Sequence, residues 1–462
     1  MQPIKRFAHL AMYPLLTVAI LLAPAAATGA SGPELTQISS DPFTNVEGQH
    51  RTQVGSSTFQ NGTTIFTAFQ SGRTVGGGSA GVGYAAYNKR LGTWTNGFVD
   101  GLTIHRGDGA YTAVSDVKVG YCLICYNIWL ISALVTGGPD GSTAVFTVRS
   151  ADDGRTFKKP LLAATGQLTK NWLVCQFGGY PSGASPCYLG YTVTNAGNAL
   201  RMRVSYNGGL SWGPERGTAD NASGFAGQPV VQYDGTVVVP YLATNGQLRA
   251  FRTTDLGASW GASVLISNAQ RHTAAGSLHA SALPSAQRDY YGTTYVAWAD
   301  CRFRGGCAAN DIVVSKSTDG ATWSTPTRVP IDATTSGVDH FLPAIGVDPT
   351  SYTPDTTRIG LTYHYYPQTS CTFSTCQLNV GFISSVDGGG SWSTPVHVAG
   401  PMSLSWLPDT TQGRALGDYL STEVVWSGNA FPVIPVASAR TGGQFNQAMS
   451  VPTGGLPITG RS

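Results

Sequence analysis

Ser205-Tyr-Asn207-Gly-Gly209-Leu-Ser211-Trp212 reads as a tight turn that closes on an aromatic ring, and the phrase returns along the chain. Ser150-Ala-Asp152-Asp-Gly154-Arg-Thr156-Phe157, Thr253-Thr-Asp255-Leu-Gly257-Ala-Ser259-Trp260 and Ser385-Val-Asp387-Gly-Gly389-Gly-Ser391-Trp392 repeat it in full. Ser317-Thr-Asp319-Gly320-Ala-Thr322-Trp323 is one residue shorter, and a degenerate copy runs through Asn88, Gly92, Thr93 and Trp94. An Asp or Asn side chain accepts backbone N–H groups ahead of it, Gly supplies a positive φ, and the aromatic folds back under the hairpin. The phrase is structural.

Its aromatic ends fall at 94, 157, 212, 260, 323 and 392. An uneven spacing of roughly 50 to 70 residues suits propeller blades with variable loops better than a solenoid. The blade unit is clearest in Gln228–Tyr233, the turn Asp234-Gly235, Thr236–Tyr241 and Gln247–Arg252, where Asp-Gly between apolar runs signals a hairpin. Equivalent inner strands are expected near 51–59, 115–121, 172–177, 279–284, 341–347 and 416–425. The expected fold is therefore all-β: a seven-bladed β-propeller of four-stranded antiparallel sheets, with six blades as the alternative. The last unit stops after its third strand near 446–451, so the segment 34–39 is expected to supply the missing one and close the ring.

Charged residues make up only 11% of the 462, and Gly numbers 58, which suits short strands and tight turns. Residues 1–30 read as an export signal: Lys5-Arg6, an apolar run around 15–22, then small residues. That run is broken by Pro14 and Pro24 and is too short for a stable membrane span. Residues 34–452 form the expected propeller and 453–462 a C-terminal tail. The eight Cys fall as sequence neighbours, 122 with 125, 175 with 187, 301 with 307 and 371 with 376. Four loop-pinning disulfides are the expected outcome, in keeping with secretion. A net charge of +3 without a Lys/Arg run points away from nucleic acid. A monomer without metal or cofactor is expected, with a carbohydrate as substrate or ligand.

Loops entering the inner strands ring a propeller's axial funnel, so polar residues there are site candidates. Asp116, Asp339, Asp418, Tyr419, His279 and His340 are the candidates for catalysis. His50, Arg51, Arg73, Lys170, Trp172, Gln228, Arg302 and Arg414 are the candidates for binding. Arg51, Asp116, His279, His340, Asp418 and Tyr419 are expected to converge on one face, with a carboxylate within about 3 Å of an Arg or Tyr.

The boxes, with Gly413-Arg-Ala-Leu-Gly-Asp-Tyr419 and Ala299-Asp-Cys-Arg302, make the chain resemble the Asp-box (BNR) repeat, sialidase-like secreted propellers. The resemblance implies extracellular glycan work. Arg51 and Arg73 match the positions at which sialidases place two carboxylate-gripping arginines, with Arg302 or Arg414 to complete the set. Thr74–Ala80, where sialidases carry an acid, holds no carboxylate, and of the four Glu only Glu47 falls near the expected funnel. Three readings follow. A glycoside hydrolase would draw on Asp116, Asp339 and Asp418. A polysaccharide lyase would use a His or Tyr base with Arg51 or Lys170 on a uronate. A lectin-like protein would need only aromatic platforms and hydrogen-bonding groups.

Overall fold

The computed structural model describes Met1 and residues 32–177, 185–280, 282–351, 353–426 and 428–461. Apart from Met1, the expected export signal lies outside the described residues. The rest is all-β, and helix is confined to single 3-10 turns such as Thr194–Ala196.

The strands build a β-propeller in which five blades are complete in the run of the chain. These are Gly48–Gln60, Thr64–Thr74, Ser79–Asn88 and Thr93–Phe98; Ala113–Cys122, Ile128–Thr136, Thr143–Ser150 and Leu161–Gly166; Val230–Val231 (with Gly224–Phe225), Val237–Ala243, Gln247–Thr253 and Val264–Asn268; Ser285–Arg288, Thr294–Asp300, Asp311–Ser317 and Thr327–Arg328; and Asp339–Val347, Ile359–Tyr366, Gln377–Ser385 and Val396–Ser403. Within each, successive strands pair antiparallel.

Two further stacks depart from the expected unit. Leu168–Cys175, Cys187–Val193 and Ala199–Ser205 make a three-stranded sheet, because past Ser205 only two isolated bridges, Met202 to Arg216 and Ala199 to Ser223, form on its outer edge. Ser421–Val424, Ala430–Ala437 and Gln447–Pro452 gain their fourth strand from Leu35–Gln37, in the register Leu35 to Pro452 and Gln37 to Ser450. The N-terminal segment thus covers the edge that the end of the chain leaves open. Near 279–284 the inner strand lies later than expected, at Ser285–Arg288; Leu278–His279 instead pairs parallel with Arg414–Ala415. Within residues 453–461 Leu456 and Ile458 are buried, and Leu456 is bridged to Ala430.

The repeated turn explains how blades lock together. In the copy at 150, Ser150 Oγ donates to Asp152 Oδ1 and accepts the Gly154 N–H, while Asp152 accepts both the N–H and the hydroxyl of Thr156. The copies at 253 and 385 repeat the pattern, and the copy at 205 does so with one reversal, the Asn207 Nδ2 donating to the Ser211 hydroxyl. The Gly has φ of 78° at 154, and a Cβ there would lie 2.4 Å from the Phe66 ring in the preceding blade. Gly209 meets Leu130 and Gly257 meets Val204 in the same way. The box glycine is therefore a seat for the previous blade as well as a turn residue. Gly154→Ala is expected to cost about 1–3 kcal/mol more than Gly141→Ala, measured by denaturant unfolding. Gly141 also has positive φ (73°) but faces open space, so equal costs would show that the interblade contact contributes nothing.

All four disulfides join sequence neighbours: Cys122 to Cys125, Cys175 to Cys187, Cys301 to Cys307 and Cys371 to Cys376.

Candidate functional site

Four of the inner strands share a local irregularity that builds the site. Pairing with the second strand slips between Gln49 and Gln53, Ser115 and Lys118, Thr169 and Trp172, and Phe341 and Ala344. Each slip holds a non-glycine residue at positive φ: Arg51 (58°), Asp116 (48°), Lys170 (54°) and Leu342 (48°). Such bulges re-aim side chains, and strained backbone of this kind persists only where its surroundings hold it. Here a hydrogen bond ties two neighbouring bulges, the Lys170 N–H donating to Asp116 Oδ2 at 3.0 Å.

Around these bulges Asp116, Lys170, His279, Asp418, Tyr419, Trp172 and Arg73 come together. Lys170 Nζ lies 3.8 Å from Asp116 Oδ1 and is in direct contact with Asp418 Oδ2. The other Asp418 oxygen meets His279 Nε2 at 2.9 Å. Burial alone would push the Asp418 carboxyl up, but Lys170 and His279 together hold it well below the usual carboxylate range. Lys170 is correspondingly held up by Asp116 and Asp418 in spite of its burial.

Beneath this pair lies Lys118, 2% exposed, its ammonium 3.7 Å from the Tyr419 ring centre and 4.0 Å from that of Trp172. Burial lowers Lys118 to about 7, against the pull of Asp116 and Asp418. Trp172 and Tyr419 meet edge to face at 4.7 Å. The Tyr419 phenol is pushed well above its ordinary value by burial and by the two carboxylates, and its buried Oη has no hydrogen-bond partner among the described residues. An unpaired buried hydroxyl costs free energy, and such groups collect at functional sites. Arg73 reaches the cluster from the second strand of the first blade. Its Nη1 donates to Gln70 Oε1 at 2.9 Å, and burial lowers it while Asp418 and Asp116 oppose the shift.

The other candidates lie elsewhere. Arg51 occupies the equivalent bulge, but its side chain is exposed and its N–H is taken by Asp41. His50, its neighbour, has a buried Nδ1 without a partner among the described residues. Asp339 accepts from Asn310 and lies 3.2 Å from His272, while His340 Nδ1 meets the Asn310 carbonyl. Both precede their strand's bulge, so they bind the neighbouring loop instead of facing Asp418. Gln228 uses its whole amide on Ala286, donating to O at 2.6 Å and accepting from N at 2.9 Å. Arg302 is forked onto Asp300 and donates also to Ser267 and Asn268. Arg414 donates to the Leu407 carbonyl and lies over Phe373. The expected Arg or Tyr contact to a carboxylate is replaced in the cluster by Lys170 and His279. Lys118 was not among the candidates, although a lysine flanked by Val117 and Val119 in an apolar strand is itself a signal of a paired buried charge.

No protein-family model and no curated protein matches this chain. Among solved structures, a Hadza microbial sialidase is similar at 12% identity and a TM-score of 0.45, over 81% of this chain and 73% of that one. The NanB sialidase of Streptococcus pneumoniae is similar at 11% and 0.41, over 90% and 69%. An alpha-L-arabinofuranosidase of Fusarium graminearum is similar at 13% and 0.43, over 76% and 97%. The substrate question rests on this chain's own geometry.

Proposed function

We propose that the chain is a secreted Asp-box propeller that hydrolyses glycosidic bonds in an extracellular oligo- or polysaccharide. Counted with the three-stranded stack and the stack closed by Leu35–Gln37, the blades number seven. The reading rests on one observation: two carboxylates on different blades, Asp116 and Asp418, flank a single ammonium beside a histidine and an aromatic pair. One is in contact with Lys170 and the other 3.8 Å from it. His279, held by Asp418, is the group able to carry a proton to a leaving oxygen, and Trp172 with Tyr419 offers a wall for a sugar ring. Arg73 is the one candidate arginine in the cluster, so a three-arginine carboxylate grip is not part of this proposal.

A carbohydrate-binding role without turnover is the second reading. It is favoured by the engagement of both Asp418 oxygens, which leaves that carboxylate no free side for a substrate. Incubation with sialosides, uronic-acid polymers and neutral arabino- or xylo-oligosaccharides separates the classes. New reducing ends without unsaturation support the hydrolase, absorbance of a 4,5-unsaturated uronate would make it a lyase, and binding without products would leave the second reading.

A further inference from the structure

The inner strands enter the axial region at the Asp116–Asp418 cluster and leave it at the opposite end, where a cavity of about 130 Å³ lies on the far side of Trp172. Its lining comes mainly from the exit halves of those strands, with Phe59 and Gln60 from the first, Phe177 beyond the third, Arg288 from Ser285–Arg288, Glu423 from the last and Trp426 just past it, and Trp172, shared with the cluster, closes its inner end. Phe59 and Phe177 have ring centres 6.0 Å apart, and Phe177 meets Trp426 edge to face at 6.1 Å. Trp426 is seated on Gly62, where a Cβ would strike its ring at 2.7 Å, and is 42% exposed at the rim. These rings form a continuous aromatic wall.

The polar groups of the cavity do not cancel. Arg288 donates from Nη1 to the Asp289 carbonyl; burial lowers its guanidinium, Asp289 opposes the shift through space, and none of the ion pairs among the described residues includes it. The nearest acid, Asp289, is fully buried and directs its carboxylate to Thr293, Tyr295 and Thr357. Glu423, the only carboxyl among the described residues lining the cavity, is raised to about 8 by burial, against the pull of Lys89, which favours its neutral form at pH 7. Arg288 is then the charge that the cavity presents. A guanidinium beside an aromatic wall is the arrangement that receives a planar carboxylate.

We propose that this exit-end cavity is a second small-molecule site, distinct from the Asp116–Asp418 cluster, which takes a single-ring carboxylate with its acid on Arg288 and its ring against Phe177 and Trp426. The volume sets the size, since cavities of about 150 Å³ accept one benzene-sized ring. A disaccharide is too large for it.

The test titrates the full chain with benzoate and with benzyl alcohol, following tryptophan fluorescence and heat. Benzoate is expected to bind with a Kd of about 1 mM or tighter, at least about tenfold better than benzyl alcohol. Arg288→Gln should abolish that preference, and Asp418→Asn should leave it unchanged. Should Arg288→Gln fail to fold, Trp426→Leu serves instead, with benzoate affinity expected to fall about fivefold or more. Equal affinity for the two probes, no benzoate binding up to about 20 mM, or binding lost in Asp418→Asn but kept in Arg288→Gln would each overturn the proposal.

Discussion

Asp418→Asn is expected to cut glycan turnover a hundredfold or more with the propeller intact, and Tyr419→Phe gives the sharper companion result. In Asp418→Asn the amide cannot neutralise Lys170 and also hold His279, so the group that would carry the proton loses its orientation. The fold should survive, because Lys170 keeps Asp116 at 3.8 Å and the bulge it occupies is pinned through its own N–H. Tyr419→Phe deletes a buried hydroxyl with no partner among the described residues, so its melting temperature should stay level or rise. If turnover nonetheless falls by the same order, the phenol takes part in the reaction; if turnover is retained, Tyr419 is a platform. Steady-state rates and calorimetric melting on both variants decide this. A normal rate in Asp418→Asn would remove the support for the hydrolase reading.

Trp129→Ala is expected to be the most destabilising single change outside the cluster, at about 3–5 kcal/mol, while Trp129→Phe should cost about 1.5 kcal/mol or less. Trp129 is fully buried, with the rings of Tyr121 at 4.6 Å, Phe66 at 5.1 Å and Phe59 at 6.3 Å. Truncation to Ala opens a cavity bounded by two blades, which the rigid neighbouring strands cannot close. Phe retains most of the ring contacts and removes an indole N–H that has no acceptor among the described residues. Denaturant midpoints compared with wild type measure both. A similar loss for Ala and Phe would mean that the indole N–H is engaged after all.

The residues differ in how readily they declare themselves. Each box announces its turn because its hydrogen bonds close within four residues, as from Asp152 to Thr156, and local chemistry suffices to read it. The disulfide pairs are equally local, separated by 3 to 12 residues. The candidate site is a mixed case. Asp116, Lys170, His279 and Asp418 could be proposed from their places at strand entries, but nothing in the chain tells which of them meet. Asp339 and His340 stand at a strand entry of the same kind and yet serve a loop around Asn310, since they fall before the bulge instead of on it. Lys118 escaped notice because it sits inside a strand, where only the packing of Trp172 and Tyr419 over it reveals its surroundings.

By itself, then, the sequence determined an all-β chain of repeated hairpins, its turns, its cysteine pairing and the closing of its last sheet by the segment near Leu35. These depend on residues close in the chain or on one complementary strand edge, and their energies are set by local hydrogen bonds and alternation. Only the tertiary structure decided that Asp116 and Asp418 share one lysine, that Gln228 and Arg302 are spent on structural contacts, and that Arg288 stands alone in a second cavity. Those outcomes depend on the rotation of one blade against the next and on the position of each bulge. A displacement of one residue there turns a side chain from the axis into a loop.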